Sequence, residues 1–149
     1  MTRAERAAEN FLNGCNCAQS VLLAFSDETG LDDATAMRIA SGFGGGMARM
    51  REVCGAVSGM FMAAGLIFGS DDVTHEKKAA QYLRLQALAA QFREKNGSLL
   101  CRELLAGVKD DGSPLPARRT PEYYAERPCA RLVAEAAQIL EAEIANAKR

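Results

Sequence analysis

The longest uninterrupted run of apolar and small residues lies near the middle of the chain. From Val53 to Gly69, VCGAVSGMFMAAGLIFG carries no charged side chain. A helix without a charged face belongs inside its domain. Gly55, Gly59 and Ala63 recur every four residues and form one smooth stripe. Such a stripe admits another backbone, or a ligand, at close range. Cys54 and Ser58 also stand four apart, on a neighbouring face. The run reads either as a core helix with a buried cysteine or as a reactive or ligating thiol beside a close-approach groove.

The flanking segments carry helical periodicity and end signals. Residues 3–12 set Ala4, Ala7, Ala8, Phe11 and Leu12 on one side, and Asn13-Gly14 ends them. Asn16 is a good N-cap with Gln19 at the capping-box position, which puts Cys17 first in its helix. That helix is expected to run through Val21, Leu22, Ala24 and Phe25 and to stop near Gly30. Asp32 or Asp33 caps a helix from Ala34 to about Ser41. Thr74 caps a long one from His75 to about Lys95, with Tyr82, Leu85, Leu88, Ala89 and Phe92 inward and Asn96-Gly97 closing it. Ser98 caps a short helix, LLCRELLAG, with Cys101 as its third residue. Residues 107–127 are irregular, and all four prolines lie in 114–128. This segment is a lid or a surface crossing, and Thr120-Pro121 starts a single turn carrying Tyr123 and Tyr124. The last helix begins at Pro128, with Leu132, Val133, Ala136, Ile139, Leu140 and Ile144 inward and a frayed tail, ANAKR. No stretch reads as a strand. The expected fold is all-α: a single domain over residues 1–149, a bundle of about six helices around a buried central one.

Charge and composition narrow the function. A net charge of −1 gives no electrostatic case for nucleic acid or acidic lipid. With no Trp and few aromatics, base-stacking platforms are not expected. The N-terminal MTRAERAAEN lacks the apolar stretch of a secretory signal. The run at 53–69 is short for a membrane span, rich in Gly and Ala, and holds Ser58. The expectation is a cytoplasmic protein with no membrane insertion and no nucleic-acid partner. An apolar helical surface of this kind would support a homodimer. In that compartment five cysteines read as reduced thiols, metal ligands or a redox centre rather than structural disulfides.

Ahead of the central run lies GFGGGMARMRE. It lacks the Gly-Lys-Ser/Thr of a P-loop and follows no strand pattern, which argues against nucleotide binding. Its glycines are expected to turn the chain into the central helix and to keep side chains away from Cys54. Arg49 or Arg51, if pointed inward, would lower the Cys54 pKa. His75, the only histidine, reads as a surface residue.

Cys17, Cys101 and Cys129 each fall in the first turn of an expected helix, and Cys54 follows the glycine-rich break. Helix N-termini present unsatisfied N–H groups and partial positive charge, which favour thiolate. Several such placements suit a site where anionic sulfurs gather: an iron–sulfur cluster, another thiophilic metal or a redox dithiol. Against this, buried cysteine often only fills space, and the wide gaps match no zinc-ribbon spacing.

Taken in order, Asn16-Cys17-Ala18-Gln19, Gly42-Phe43-Gly44-Gly45-Gly46-Met47, Cys54-Gly55-Ala56-Val57-Ser58-Gly59, Asn96-Gly97-Ser98 before Cys101, and Cys129 resemble the C-GCAxxG-C-C family of four-cysteine proteins. The resemblance extends from about residue 7 to 145. It implies that Cys17, Cys54, Cys101 and Cys129 are the family cysteines and that Gly55, Ala56 and Gly59 complete the motif. Cys15 lies outside the pattern, as an incidental addition or else a resolving thiol or spare ligand. A more distant similarity, to the C-terminal part of split-Soret cytochrome c, implies an iron–sulfur cluster rather than a dithiol. No C-x-x-C-H occurs, which removes covalent haem. Two expectations stand beside a purely structural helical protein with buried thiols. In one, the four thiolates hold a [2Fe–2S] cluster or a thiophilic ion and serve an unidentified redox partner protein. In the other, Cys54 is the attacking thiol of a thiol–disulfide oxidoreductase and a second family cysteine resolves the mixed disulfide.

Overall fold

The helices begin where a side chain can satisfy their first N–H groups. In the computed structural model, which describes residues 1–148, Thr2 caps α1 (Arg3–Leu12) in a capping box with Glu5. Asn16 caps α2 (Cys17–Leu23): Gln19 N–H donates to Asn16 Oδ1 at 2.8 Å, and Asn16 N–H donates to Gln19 Oε1 at 2.9 Å. Next come α3 (Ser26–Thr29), α4 (Asp33–Ala40, capped by Asp32) and a 3-10 turn over Ser41–Phe43. The uncharged run forms α5 (Gly55–Phe68). Thr74 caps α6 (His75–Asn96), and Gly97 ends it at φ 86°, a left-handed conformation that suits glycine. The chain finishes with α7 (Cys101–Leu104), α8 (Pro121–Glu126, capped by Thr120) and α9 (Cys129–Ala147). Among the described residues there is no strand, only an isolated antiparallel bridge between Val53 and Leu100. The fold is all-α, with nine helices among the described residues where about six were expected. No helix among the described residues is long and apolar enough to cross a membrane.

Packing centres on α2 and α9. Helix α9 lies along α1 and also touches α2, α5 and α6. Phe11, Phe25, Met60, Phe92, Leu132 and Leu140 are fully buried and draw these helices together. Helix α5 packs on α2 through its small-residue stripe. A Cβ on Gly59 would stand 2.5 Å from the Ala18 carbonyl oxygen, and one on Gly55 would stand 2.9 Å from the Cys17 Cβ. The partner of the stripe is therefore a backbone, that of α2, and not a ligand.

Several expectations are corrected. The helix from Cys17 does not run on to Gly30. Ala24 and Phe25 turn their N–H groups onto Val21 and Leu22, three residues back, which tightens and ends α2 before α3 begins. The first half of α6 extends beyond the core, so Tyr82 is 61% exposed and only Leu88, Ala89 and Phe92 are buried. Helix α5 is buried at its start, but Leu66 near its end is 49% exposed. The tail stays helical through Ala147, where Lys148 reaches Glu28 at 3.3 Å. Cys101 is the first residue of α7, not the third, because Leu100 is extended opposite Val53 and the Leu99 carbonyl accepts from Cys54 N–H.

Candidate functional site

Three packing features bring the family cysteines to one place. The first is the glycine stripe, which seats the start of α2 against the start of α5 and sets Cys17 beside Cys54. The second is a short extended pairing. Cys54 N–H donates to the Leu99 carbonyl at 2.8 Å, and Cys101 N–H donates to the Glu52 carbonyl at 2.7 Å, with Val53 opposite Leu100. This fixes Cys101 next to Cys54. The third is the start of α9, where Cys129 follows Pro128 and faces the same cavity as Cys17. Cys17, Cys54, Cys101 and Cys129 all line one cavity of about 40 Å³, walled further by Gly55, Arg51, Tyr123 and Arg127. All four are buried free thiols. Each is the first residue of its helix or, for Cys54, the residue just before it.

The glycine-rich loop closes one side of the cavity in an unusual conformation. Gly45, Gly46, Met47, Ala48 and Arg49 have successive φ values of 63°, 72°, 67°, 48° and 64°, and Arg51 follows at 61°. Left-handed backbone costs a non-glycine residue about 1–2 kcal/mol. Four such residues persist because the loop is tied to itself. Ala48, Arg49, Arg51 and Glu52 donate N–H to the carbonyls of Gly42, Gly44, Gly45 and Gly46 at 2.8–3.1 Å. Glycine is required where the loop meets the centre: a Cβ on Gly46 would stand 2.6 Å from the Cys101 Cβ. The glycines were expected to clear space around Cys54; the space they clear lies over Cys101 and over Asn16, which Gly44 approaches.

The four thiols are electrostatically unlike one another. Burial pushes Cys54 up to about 12, although the Ala56 and Val57 N–H groups facing it pull the other way. The neighbouring thiols of Cys17 and Cys129 influence each other; this raises Cys17, together with burial, and lowers Cys129, and Arg127, Arg119 and Arg51 lower Cys129 further. Cys129 is thus the site's readiest thiolate. Burial raises Cys101, while Arg51 offsets part of that rise by donating from Nη1 to Cys101 Sγ at 3.5 Å. Arg51 Nε also pairs with Asp110 at 2.8 Å, and Arg49 pairs with Asp110 at 2.7 Å. Two arginines on Asp110 hold its carboxyl at about 2. The expectation that Arg49 or Arg51 activates Cys54 is therefore not met: the guanidinium groups go to Asp110 and Cys101.

Other candidates lie apart from the centre. Cys15 is half-buried with its sulfur 3.9 Å from Met37 Sδ, and it does not line the cavity. Ser58 does not reach the cavity either, and Ala56 is wholly buried in the core. His75 is exposed at the start of α6. Sequence reasoning missed Arg127, Arg119 and the wall position of Tyr123. The segment expected to be a lid or a surface crossing supplies all three. Their only local signal was the Arg118-Arg119 pair and a single arginine, Arg127, two residues before Cys129.

By chemistry the donor set suits a thiophilic ion or a [2Fe–2S] cluster. It offers four soft sulfurs at helix starts that favour thiolate, with two arginines alongside. Arg51 Nη2 is buried with no hydrogen-bond partner, an unused donor on a guanidinium that also pairs with Asp110. Among the described residues, however, no three His, Cys, Asp or Glu side chains stand in metal-holding geometry. Binding would therefore require the cysteine side chains to turn from the positions they hold.

A family model described as "Putative redox-active protein (C_GCAxxG_C_C)" matches residues 15–143. No curated protein and no solved structure matches the chain. The matched span covers most of the chain and takes in all four cysteines that line the cavity, and on that match the chain belongs to the C_GCAxxG_C_C family.

Proposed function

We propose that Cys17, Cys54, Cys101 and Cys129 work as a single redox centre that holds a [2Fe–2S] cluster or another thiophilic metal ion, for electron transfer or redox sensing. One observation carries this reading: four cysteines far apart in sequence leave four different helix starts and line one 40 Å³ cavity. Space-filling cysteines have no reason to share a wall with Arg51 and Arg127. When bound, an iron centre supplies one-electron chemistry, and its surroundings set its potential. The chain's own part is to supply thiolates, to lower their net charge with Arg51, Arg127 and the helix N–H groups, and to exclude water with Tyr123 and the glycine loop.

A dithiol reading has its own support in Cys17 and Cys129, which line one cavity and shift each other's ionisation in opposite directions. It uses that pair in place of the expected one containing Cys54. Given an acceptor disulfide, the two thiols would yield two electrons and two protons and form a Cys17–Cys129 bond, and the acceptor would leave as two thiols.

Assaying iron, zinc and acid-labile sulfide in variants purified without oxygen separates the readings. Cys17→Ala, Cys54→Ala, Cys101→Ala and Cys129→Ala are each expected to lose the bound species, and Cys15→Ala to keep it. Retention in any of the first four contradicts a four-thiolate site. Reversible thiol oxidation lost only in the Cys17 and Cys129 variants would establish the dithiol.

A further inference from the structure

A second cavity, a cleft of about 360 Å³, opens onto the cysteine centre and shares Cys17, Arg51, Tyr123 and Arg127 with it. Its volume is that of a small-molecule site. Four arginines line it, Arg49, Arg51, Arg119 and Arg127, and no carboxylate does. The chain as a whole carries −1, so the concentration is local. Asp110, behind the lining, offsets part of the charge of Arg49 and Arg51. Arg119 gives its N–H groups to neutral carbonyls, Phe11 at 2.9 Å and Cys15 at 3.0 Å, and has no carboxylate partner among the described residues. Arg127 lies 4.6 Å over the Tyr123 ring and has no carboxylate partner among the described residues. A guanidinium fork matches the oxygen pairs of carboxylate and phosphate, and a desolvating wall strengthens the attraction.

We propose that this cleft binds a small molecule bearing two or more carboxylate or phosphate groups, with Arg127 as its principal anchor, and holds it against Cys17. The volume matches a small molecule. The inference does not rest on a bound metal, because binding is read on reduced, metal-free protein.

Titration calorimetry with citrate and with pyrophosphate is the test. Saturable 1:1 binding of at least one probe is expected; citrate alone assigns carboxylate chemistry and pyrophosphate alone assigns phosphate. Arg127→Gln is expected to weaken it by about tenfold or more, the size of one charge-assisted hydrogen bond. Arg127→Lys is expected to keep part of the affinity, and Arg93→Gln, exposed on α6, all of it. Bound probe is also expected to slow alkylation of Cys17 in the unmodified protein, a readout that needs no folded variant. Failure of both probes to saturate overturns the inference. So does an equal loss in Arg127→Gln and Arg93→Gln, which would mark diffuse attraction only.

Discussion

Gly59→Ala is expected to destabilise the protein by about 1–3 kcal/mol, whereas Gly65→Ala, on the same helix, is expected to stabilise it by about 0.5–1 kcal/mol. Helix propensity alone would have both changes stabilise. The difference lies in what the new methyl meets. At Gly59 it would stand 2.5 Å from the Ala18 carbonyl oxygen, a backbone atom of α2 that has no side-chain rotation to yield by. Helix α5 would have to back away from α2, and Cys17 would move with it. At Gly65 nothing lies within 4 Å. Urea unfolding of the two variants under reducing conditions reads both signs in one experiment. If both were stabilised, the close approach of α2 and α5 would not exist.

The reduced, metal-free protein is expected to lose stability steeply above about pH 9. Cys54 has its folded pKa raised from 9.0 to about 12 by burial. Its unfolded form therefore releases a proton first as pH rises. The contribution is fully present below the unfolded value and is lost as pH climbs toward the folded one. A shift of this size amounts to about 4 kcal/mol once pH reaches the folded value. Cys17 and Cys101, also raised, add in the same direction; Cys129, lowered, acts oppositely by losing its contribution as pH falls. Cys54→Ser keeps a small polar residue before α5 and removes the ionisation. Unfolding midpoints across the alkaline range are expected to fall much less steeply for this variant than for the natural chain. Identical slopes would place the Cys54 sulfur in contact with water.

These expectations differ in how much of them was legible in the sequence. The capping box of Asn16 and Gln19, the Gly97 terminator and the inward stripe of α9 are local signals, and each describes its own few residues. Cys17 and Cys129 at helix starts followed directly. The pairing of Glu52–Cys54 with Leu99–Cys101 did not, because it joins segments with no alternating pattern across nearly fifty residues. For the same reason Cys101 was set two positions too deep in its helix. The left-handed run through Met47, Ala48 and Arg49 carries no sequence mark, since its conformation is imposed by backbone bonds within the folded loop. Arg127 gained meaning only when α8 packed Tyr123 against Phe11 and brought the guanidinium to the cavity wall.

The central claim is that four sulfurs form one redox centre. Its most direct test is the absorption spectrum of protein purified without oxygen, with iron, zinc, copper and acid-labile sulfide measured on the same sample. Near-stoichiometric metal is expected and, where that metal is iron with sulfide, visible charge-transfer bands that vanish in Cys54→Ala. A colourless, metal-free protein whose four buried thiols neither bind added iron or zinc nor pair on mild oxidation would contradict it.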